Sequence, residues 1–158
     1  MKLIGCGGRY LTFSPDHPPT QFIWTWVASA LRHLKVTEVI DGGMSGADSS
    51  FHHLAETLGI DSTRFYANWK RYGTNAGPRR NAKQLAYLQQ SATMAKEACA
   101  ILALPGGRGT ENMIRQGLMH HIQVWAPTME ELRLLTPDVY FSTNQHKDMR
   151  PSQEKEPS

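Results

Sequence analysis

The chain has 158 residues, 40% of them hydrophobic and 20% charged, with a formal net charge of +3 and a sequence pI of about 9.0. That length and apolar content suit a single domain with its own core. No apolar stretch approaches the roughly 20 residues of a membrane span, and Met1-Lys2-Leu3-Ile4 runs directly into a glycine turn, so the sequence argues against a signal peptide or a membrane partner and points to the cytoplasm.

Residues 2–6 form a short apolar run ending at Gly7-Gly8, the pattern of a buried strand. Residues 20–34 then carry Phe22, Ile23, Trp26, Val27, Ala30, Leu31 and Leu34 at helical spacing. A second strand is predicted over 36–40, followed by a helix from Ser45 or Gly46 through Leu58 that stops at Gly59, a residue type suited to a left-handed cap. A short third strand over 64–67 leads into a long loop, 68–81, and Pro78 suits the first turn of a helix over 78–95. Residues 99–104 are the most strand-like run of the chain. A helix over 109–119, a fifth strand over 122–125 and a last short helix over 129–135, after the break at Pro127, complete the order.

This alternation predicts an α/β, Rossmann-like three-layer fold with a mostly parallel sheet of about five strands. From Ser142 onward the chain is polar, with Pro151, Pro157 and Met149 as its one sizeable apolar residue. Such a segment buries too little surface to offset its ordering entropy. The expected division is a folded domain over 1–141 and a disordered polar tail over 142–158. The two cysteines, Cys6 and Cys99, fall in strand-like runs and read as buried reduced thiols.

Four glycine-rich turns punctuate the order: Cys6-Gly7-Gly8-Arg9, Gly42-Gly43-Met44-Ser45-Gly46-Ala47-Asp48, Tyr72-Gly73-Thr74-Asn75-Ala76-Gly77-Pro78-Arg79-Arg80-Asn81 and Pro105-Gly106-Gly107-Arg108-Gly109-Thr110. Each stands where a strand gives way to a helix. In an open parallel sheet they would gather along one carboxyl edge, where ligands of such folds bind. Glycine lets backbone N–H groups come close to an anion, and the helix start that follows adds a partial positive charge. Arg9, Lys70, Arg71, Arg79, Arg80 and Arg108 lie in or beside these turns, so positive charge is concentrated where an anion would dock.

The candidate ligand-binding residues are Gly7, Gly8 and Arg9 in the first turn, and Gly42, Gly43, Ser45, Gly46 and Asp48 in the second. The third contributes Trp69, Tyr72, Arg79, Arg80 and Asn81, and the fourth Pro105, Gly106, Gly107, Arg108, Gly109, Thr110 and Glu111. The backbone of 105–110 and the Thr110 hydroxyl are expected to hold a phosphate at the next helix's start. Arg79 and Arg80 suit bidentate phosphate contact, Arg80 first. Gly42, Gly43 and Gly46 read as turn glycines or as a ligand-facing loop, and Ser45 and Asp48 at a helix start favour the loop. Asp48 either complements the helix dipole or accepts hydrogen bonds from ribose hydroxyls. Trp69 and Tyr72 either pack beneath the long loop or provide a stacking surface for a base. Arg115 is expected to face away from the glycine turn.

Adjacent histidines, His52-His53 and His120-His121, point in different directions, and no metal-ligand spacing appears, so neither a metal nor a cofactor is expected. The basic residues cluster in glycine turns and not along a recognition helix or an exposed aromatic face, which argues against a nucleic-acid partner.

In order and spacing, Gly7-Gly8-Arg9-Tyr10, Gly42-Gly43-x-x-Gly46-Ala47-Asp48, Ala67-x-Trp69-x-x-Tyr72-Gly73-x-x-Ala76-Gly77-Pro78-x-Arg80-Asn81 and Pro105-Gly106-Gly107-Arg108-Gly109-Thr110-x-x-Met113 resemble the YspA-like branch of the SLOG superfamily, over about residues 1–127. The resemblance implies a Rossmann-like fold that binds nucleotide-related ligands. The superfamily also contains the lonely-guy phosphoribohydrolases, which activate cytokinins, and ligand-sensing domains of bacterial defence proteins. Those hydrolases follow their glycine-threonine turn with two residues and then a glutamate, whereas this chain has Met113 there. Glu111 lies two residues earlier, about 200° around a helix axis.

The expected function is therefore binding of a nucleotide or nucleotide-derived small molecule, of ADP-ribose or cyclic-nucleotide type, by a sensor or sequestering protein. The alternative is N-glycosidic hydrolysis of a nucleoside monophosphate or related compound, with Glu111 or Asp48 as the catalytic carboxylate. Several proteins of the superfamily dimerise through helices flanking the cleft. Apolar residues at Trp24, Met94, Met113 and Met119 point to a homodimer here as well.

Overall fold

Successive strand side chains point to opposite faces of a sheet, and the apolar runs of this chain use both. Leu3, Val39, Ala100 and Leu102 enter one buried cluster, while Ile4, Ile40, Ile101 and Ala103 enter the other. In the computed structural model, which describes residues 1–145, the strands are β1 (Lys2–Cys6), β2 (Glu38–Asp41), β3 (Asp61–Arg64), β4 (Cys99–Ala103) and β5 (Gln123–Trp125). They form one sheet in the order β3-β2-β1-β4-β5, and every neighbouring pair is parallel. Among the described residues the α-helices are α1 (Pro18–His33), α2 (Ala47–Leu58), α3 (Trp69–Tyr72), α4 (Ala76–Ala95), α5 (Arg108–Met119), α6 (Met129–Leu134) and α7 (Pro137–Asn144).

Residues of α1, α2, α6 and α7 pack on one face of the sheet, and Leu85 and Leu88 of α4 with Met113 of α5 pack on the other. This is a three-layer, Rossmann-like α/β fold. The chain builds outward from β1 to β3, then returns through α3 and α4 to place β4 on the other side of β1. That reversal opens a crevice above the carboxyl ends of β1 and β4, the usual ligand position in doubly wound sheets. Among the described residues no helix is long and apolar enough to cross a membrane.

Four elements differ from the sequence expectation. The third strand is Asp61–Arg64, not 64–67. Its register pairs Ile40 with Thr63 and Asp41 with Arg64, and as a polar edge strand it carries no apolar signal. The loop expected over 68–81 contains α3, whose Asn68 cap accepts a hydrogen bond from the Arg71 N–H at 3.1 Å, and α4 starts at Ala76, two residues before Pro78.

The largest difference is α7, which carries Ser142, Thr143 and Asn144 as helix and so corrects the domain boundary at 141. Tyr140 and Phe141 are each 3% exposed. The Phe141 ring stands edge-on to Trp125 at 4.8 Å, and Tyr140 stands edge-on to Trp26 at 5.6 Å. Burial of two such rings contributes about 1.5–3 kcal/mol each. The Ser142 hydroxyl donates to the Asp138 carbonyl at 2.7 Å and the Thr143 hydroxyl to that of Val139 at 3.0 Å, so these polar side chains are satisfied within their own helix. The remainder of the expected tail, 146–158, lies outside the described residues. Cys6 and Cys99 are both free thiols, Cys6 buried and Cys99 half-buried.

Candidate functional site

The four glycine turns meet above the carboxyl ends of β1, β2 and β4 around a cleft of about 1030 Å³. The backbone holds them together. The Gly8 N–H donates to the Pro105 carbonyl at 2.9 Å, and the Gly8 carbonyl accepts from the Leu11 and Ala47 N–H groups, each at 3.1 Å. Gly46 makes this junction possible. It has φ +81°, and a Cβ there would collide with the Arg9 and Gly8 carbonyls, so no other residue fits.

Arg80 and Asp48 form the floor. Arg80 is 9% exposed and Asp48 6% exposed. The Arg80 guanidinium donates through Nη1 to the Gly42 carbonyl at 3.0 Å and through Nη2 to Asn81 Oδ1 at 3.2 Å. A guanidinium has five N–H donors; these bonds, with a longer one from Nε to the same oxygen at 3.4 Å, use three of them, and Arg80 lines the cleft. Asn81 Nδ2 in turn donates to the Gly109 carbonyl at 3.2 Å and to Asn112 Oδ1 at 3.0 Å, tying α4 to the first turn of α5. Asp48 Oδ2 accepts the Met44 N–H at 3.3 Å. Burial pushes the Asp48 carboxyl up to about 6, with the nearby Arg80 charge pulling the other way. Burial likewise lowers Arg80 against the opposing pull of Asp48, and raises the Cys6 thiol at the cleft base.

The fourth turn supplies an anion-ready backbone. α5 begins at Arg108, and the first N–H groups of a helix have no partner within it. Gly107 and Gly109 both line the cleft, neither has a left-handed φ, and a Cβ on either would meet no protein atom within 4 Å. Thr110 is buried, with its hydroxyl against Gly106. Arg9, Arg108 and Glu111 are exposed side chains of the lining.

Of the candidate residues, Gly7, Gly8, Arg9, Gly42, Asp48, Trp69, Arg80, Asn81 and all of 105–111 line the cleft. Gly43, Ser45, Gly46, Tyr72 and Arg79 do not. Gly43 has φ +67° and lies beneath the Tyr66 ring, Gly46 packs on the first turn, and Ser45 is exposed. Arg79 is exposed and stacks on Tyr72, with Cζ 4.2 Å from the ring centroid, so the pair of arginines divides into one cleft residue and one surface residue. Lys70 and Arg71 are likewise outside the lining.

Sequence reasoning missed four lining features. Arg115, expected to face away, lines the cleft; it lies seven residues after Arg108, on the same helical face. Gln84 sits one turn beyond Arg80 and is 2% exposed, and Asn112 joins the Asn81 bond network. Tyr10 is 93% exposed at the rim. Two residues offered as dimer contacts are interior. Trp24 is 8% exposed and packs against Phe13 and His53. Met113 is 1% exposed in the core beneath α5.

No family model, curated protein or solved structure matches this chain.

Proposed function

We propose that the cleft binds a nucleotide or nucleotide-derived ligand, of ADP-ribose or cyclic-nucleotide type, and that the protein serves as a sensor or sequestering protein for it. The observation that carries the proposal is Gly109. Glycine within a helix costs roughly 0.5–1 kcal/mol relative to alanine, yet neither backbone conformation nor any neighbouring atom requires one there. A bare backbone facing a cleft, at a helix start and near a buried arginine, fits close approach of a phosphate. The lining arginines Arg9, Arg80, Arg108 and Arg115 exceed the lining carboxylates Asp48 and Glu111, which favours an anionic ligand. The resemblance to the YspA-like branch of the SLOG superfamily supports the same ligand class.

N-glycosidic hydrolysis is the second reading, and Asp48 is what favours it. A cleft carboxyl raised to about 6 is suited to proton transfer near neutral pH. Glu111, the other candidate, is an exposed side chain. Incubation with a panel of nucleotides, followed by denaturation and mass spectrometry of what is released, separates the two. Intact ligand supports binding, free base supports hydrolysis, and no bound nucleotide by calorimetry overturns both.

Part of the same proposal is a cytoplasmic homodimer. Met94 and Met119 are 77% and 66% exposed on α4 and α5, which pack side by side, and such methionines favour burial against a second copy. Light scattering that reports a monomer well above micromolar concentration, with and without ligand, would remove the dimer.

A further inference from the structure

We infer that Trp69 and Tyr10 form an aromatic subsite at the mouth of the cleft, so that the ligand lies with its phosphate on the floor and a purine ring at the rim. The inference rests on the nucleotide reading and adds the ligand's orientation and base class.

Trp69 differs from the other tryptophans. Trp24, Trp26 and Trp125 are 8%, 5% and 7% exposed, whereas Trp69 is 46% exposed and lines the cleft. It is also held in place. Trp69 opens α3, which the Asn68 side chain caps at 3.1 Å, and its ring lies over the start of α4, where a Cβ at Gly77 would be 3.3 Å from Cη2. One part of the indole is thus supported and the rest is left to the cleft. Such a half-covered ring offers a stacking surface at little conformational cost.

Tyr10 supplies the second aromatic of the rim. It sits in the turn closed by the Leu11 N–H bond to the Gly8 carbonyl, a turn itself pinned to Pro105 and Ala47. The backbone is fixed while the side chain is 93% exposed and part of the cleft lining. By contrast Tyr72, the alternative stacking residue, is occupied by Arg79 at 4.2 Å and Arg71 at 5.2 Å. Of the lining arginines, Arg80 is at the other end of the exposure range, at 9%, while Arg9, Arg108 and Arg115 are exposed. Anion at the floor and ring at the rim is the orientation that matches both. A bicyclic purine overlaps an indole over more area than a pyrimidine does, so purine nucleotides should bind ahead of pyrimidine ones.

Trp69 is its own reporter, because the remaining tryptophans are buried. The test titrates the protein with AMP, UMP and ribose 5-phosphate, following tryptophan fluorescence and calorimetric affinity in parallel. The expected result is that AMP quenches the wild type, that ribose 5-phosphate binds without quenching, and that Trp69→Phe abolishes the quench. Trp69→Ala should weaken AMP by about tenfold or more and leave ribose 5-phosphate within about twofold, with the circular-dichroism melt confirming the fold. Trp69→Phe, which retains an aromatic ring over Gly77, covers the case in which the alanine variant unfolds. AMP binding without quenching, or equal losses of AMP and ribose 5-phosphate in Trp69→Ala, would overturn the base subsite while leaving the phosphate site. UMP binding as tightly as AMP would overturn the purine preference. Absence of binding by all three probes would overturn the proposed base and phosphate arrangement, and absence of binding by ADP-ribose and cyclic AMP as well would overturn the nucleotide reading itself.

Discussion

Asp48→Asn tests the electrostatics of the cleft floor without any ligand. The Asp48 carboxyl is lifted from 3.8 to about 6, by burial first and against the pull of Arg80. A group raised on folding stabilises the fold when protonated. Its contribution is fully present below 3.8 and is lost as pH rises through about 6. At about 1.36 kcal/mol per pH unit, the lift corresponds to about 3 kcal/mol. Asparagine keeps the size and an acceptor for the Met44 N–H but cannot ionise. The variant should therefore exceed the wild type by about 3 kcal/mol near pH 8, and the gap should close toward about pH 4. Urea unfolding of both proteins at each pH gives the difference directly, and the subtraction cancels groups common to both, such as Glu38. Burial would raise Glu38, but bonds from Tyr87, Thr63, Ser91 and Lys2 hold it low. A gap that stays constant across this range, or a wild type more stable than the variant near pH 8, would refute the assignment.

Gly109→Ala should raise stability by about 0.4–1 kcal/mol, since its Cβ meets no protein atom, yet weaken nucleotide binding; a thermal melt and calorimetry on one sample check both signs. Gly46→Ala should instead lower the melting temperature sharply, because its Cβ collides with the Arg9 and Gly8 carbonyls at φ +81°. Arg80→Ala should weaken nucleotide binding by about tenfold or more, while Arg79→Ala, whose guanidinium stacks on Tyr72 outside the cleft, should leave it unchanged; equal losses by calorimetry would assign the effect to general charge. Met113→Glu, which restores the hydrolase-like spacing, places a carboxyl at a position 1% exposed and should cost about 3 kcal/mol or more, read as a lowered denaturation midpoint.

Local patterns alone indicated most of the architecture. Short apolar runs, helical spacing and glycine stops mark β1, α2 with its Gly59 cap, β4 and α5, because these patterns are written in neighbouring residues. The position of the cleft was legible for the same reason, since turns at strand ends of a parallel sheet must share one edge. Two elements had no such signature. β3 is a polar edge strand whose register is imposed by Asp41 and Ile40, and α7 acquires its stability from Trp26 and Trp125, more than ten residues away in sequence.

Within the candidate site, residue type marked which turns border the cleft, and tertiary structure decided which side chains face inward. Arg79 and Arg80 are neighbours in sequence but about 100° apart around α4, and only the placement of α4 against the Gly42 turn sends one to the floor and the other to the surface. Gly46 and Gly109 look alike in the chain, yet one is filled by the Arg9 carbonyl and the other opens on empty space. Periodicity states which residues share a face. What that face meets depends on contacts between segments far apart in sequence, created only when β4 joins the sheet beside β1.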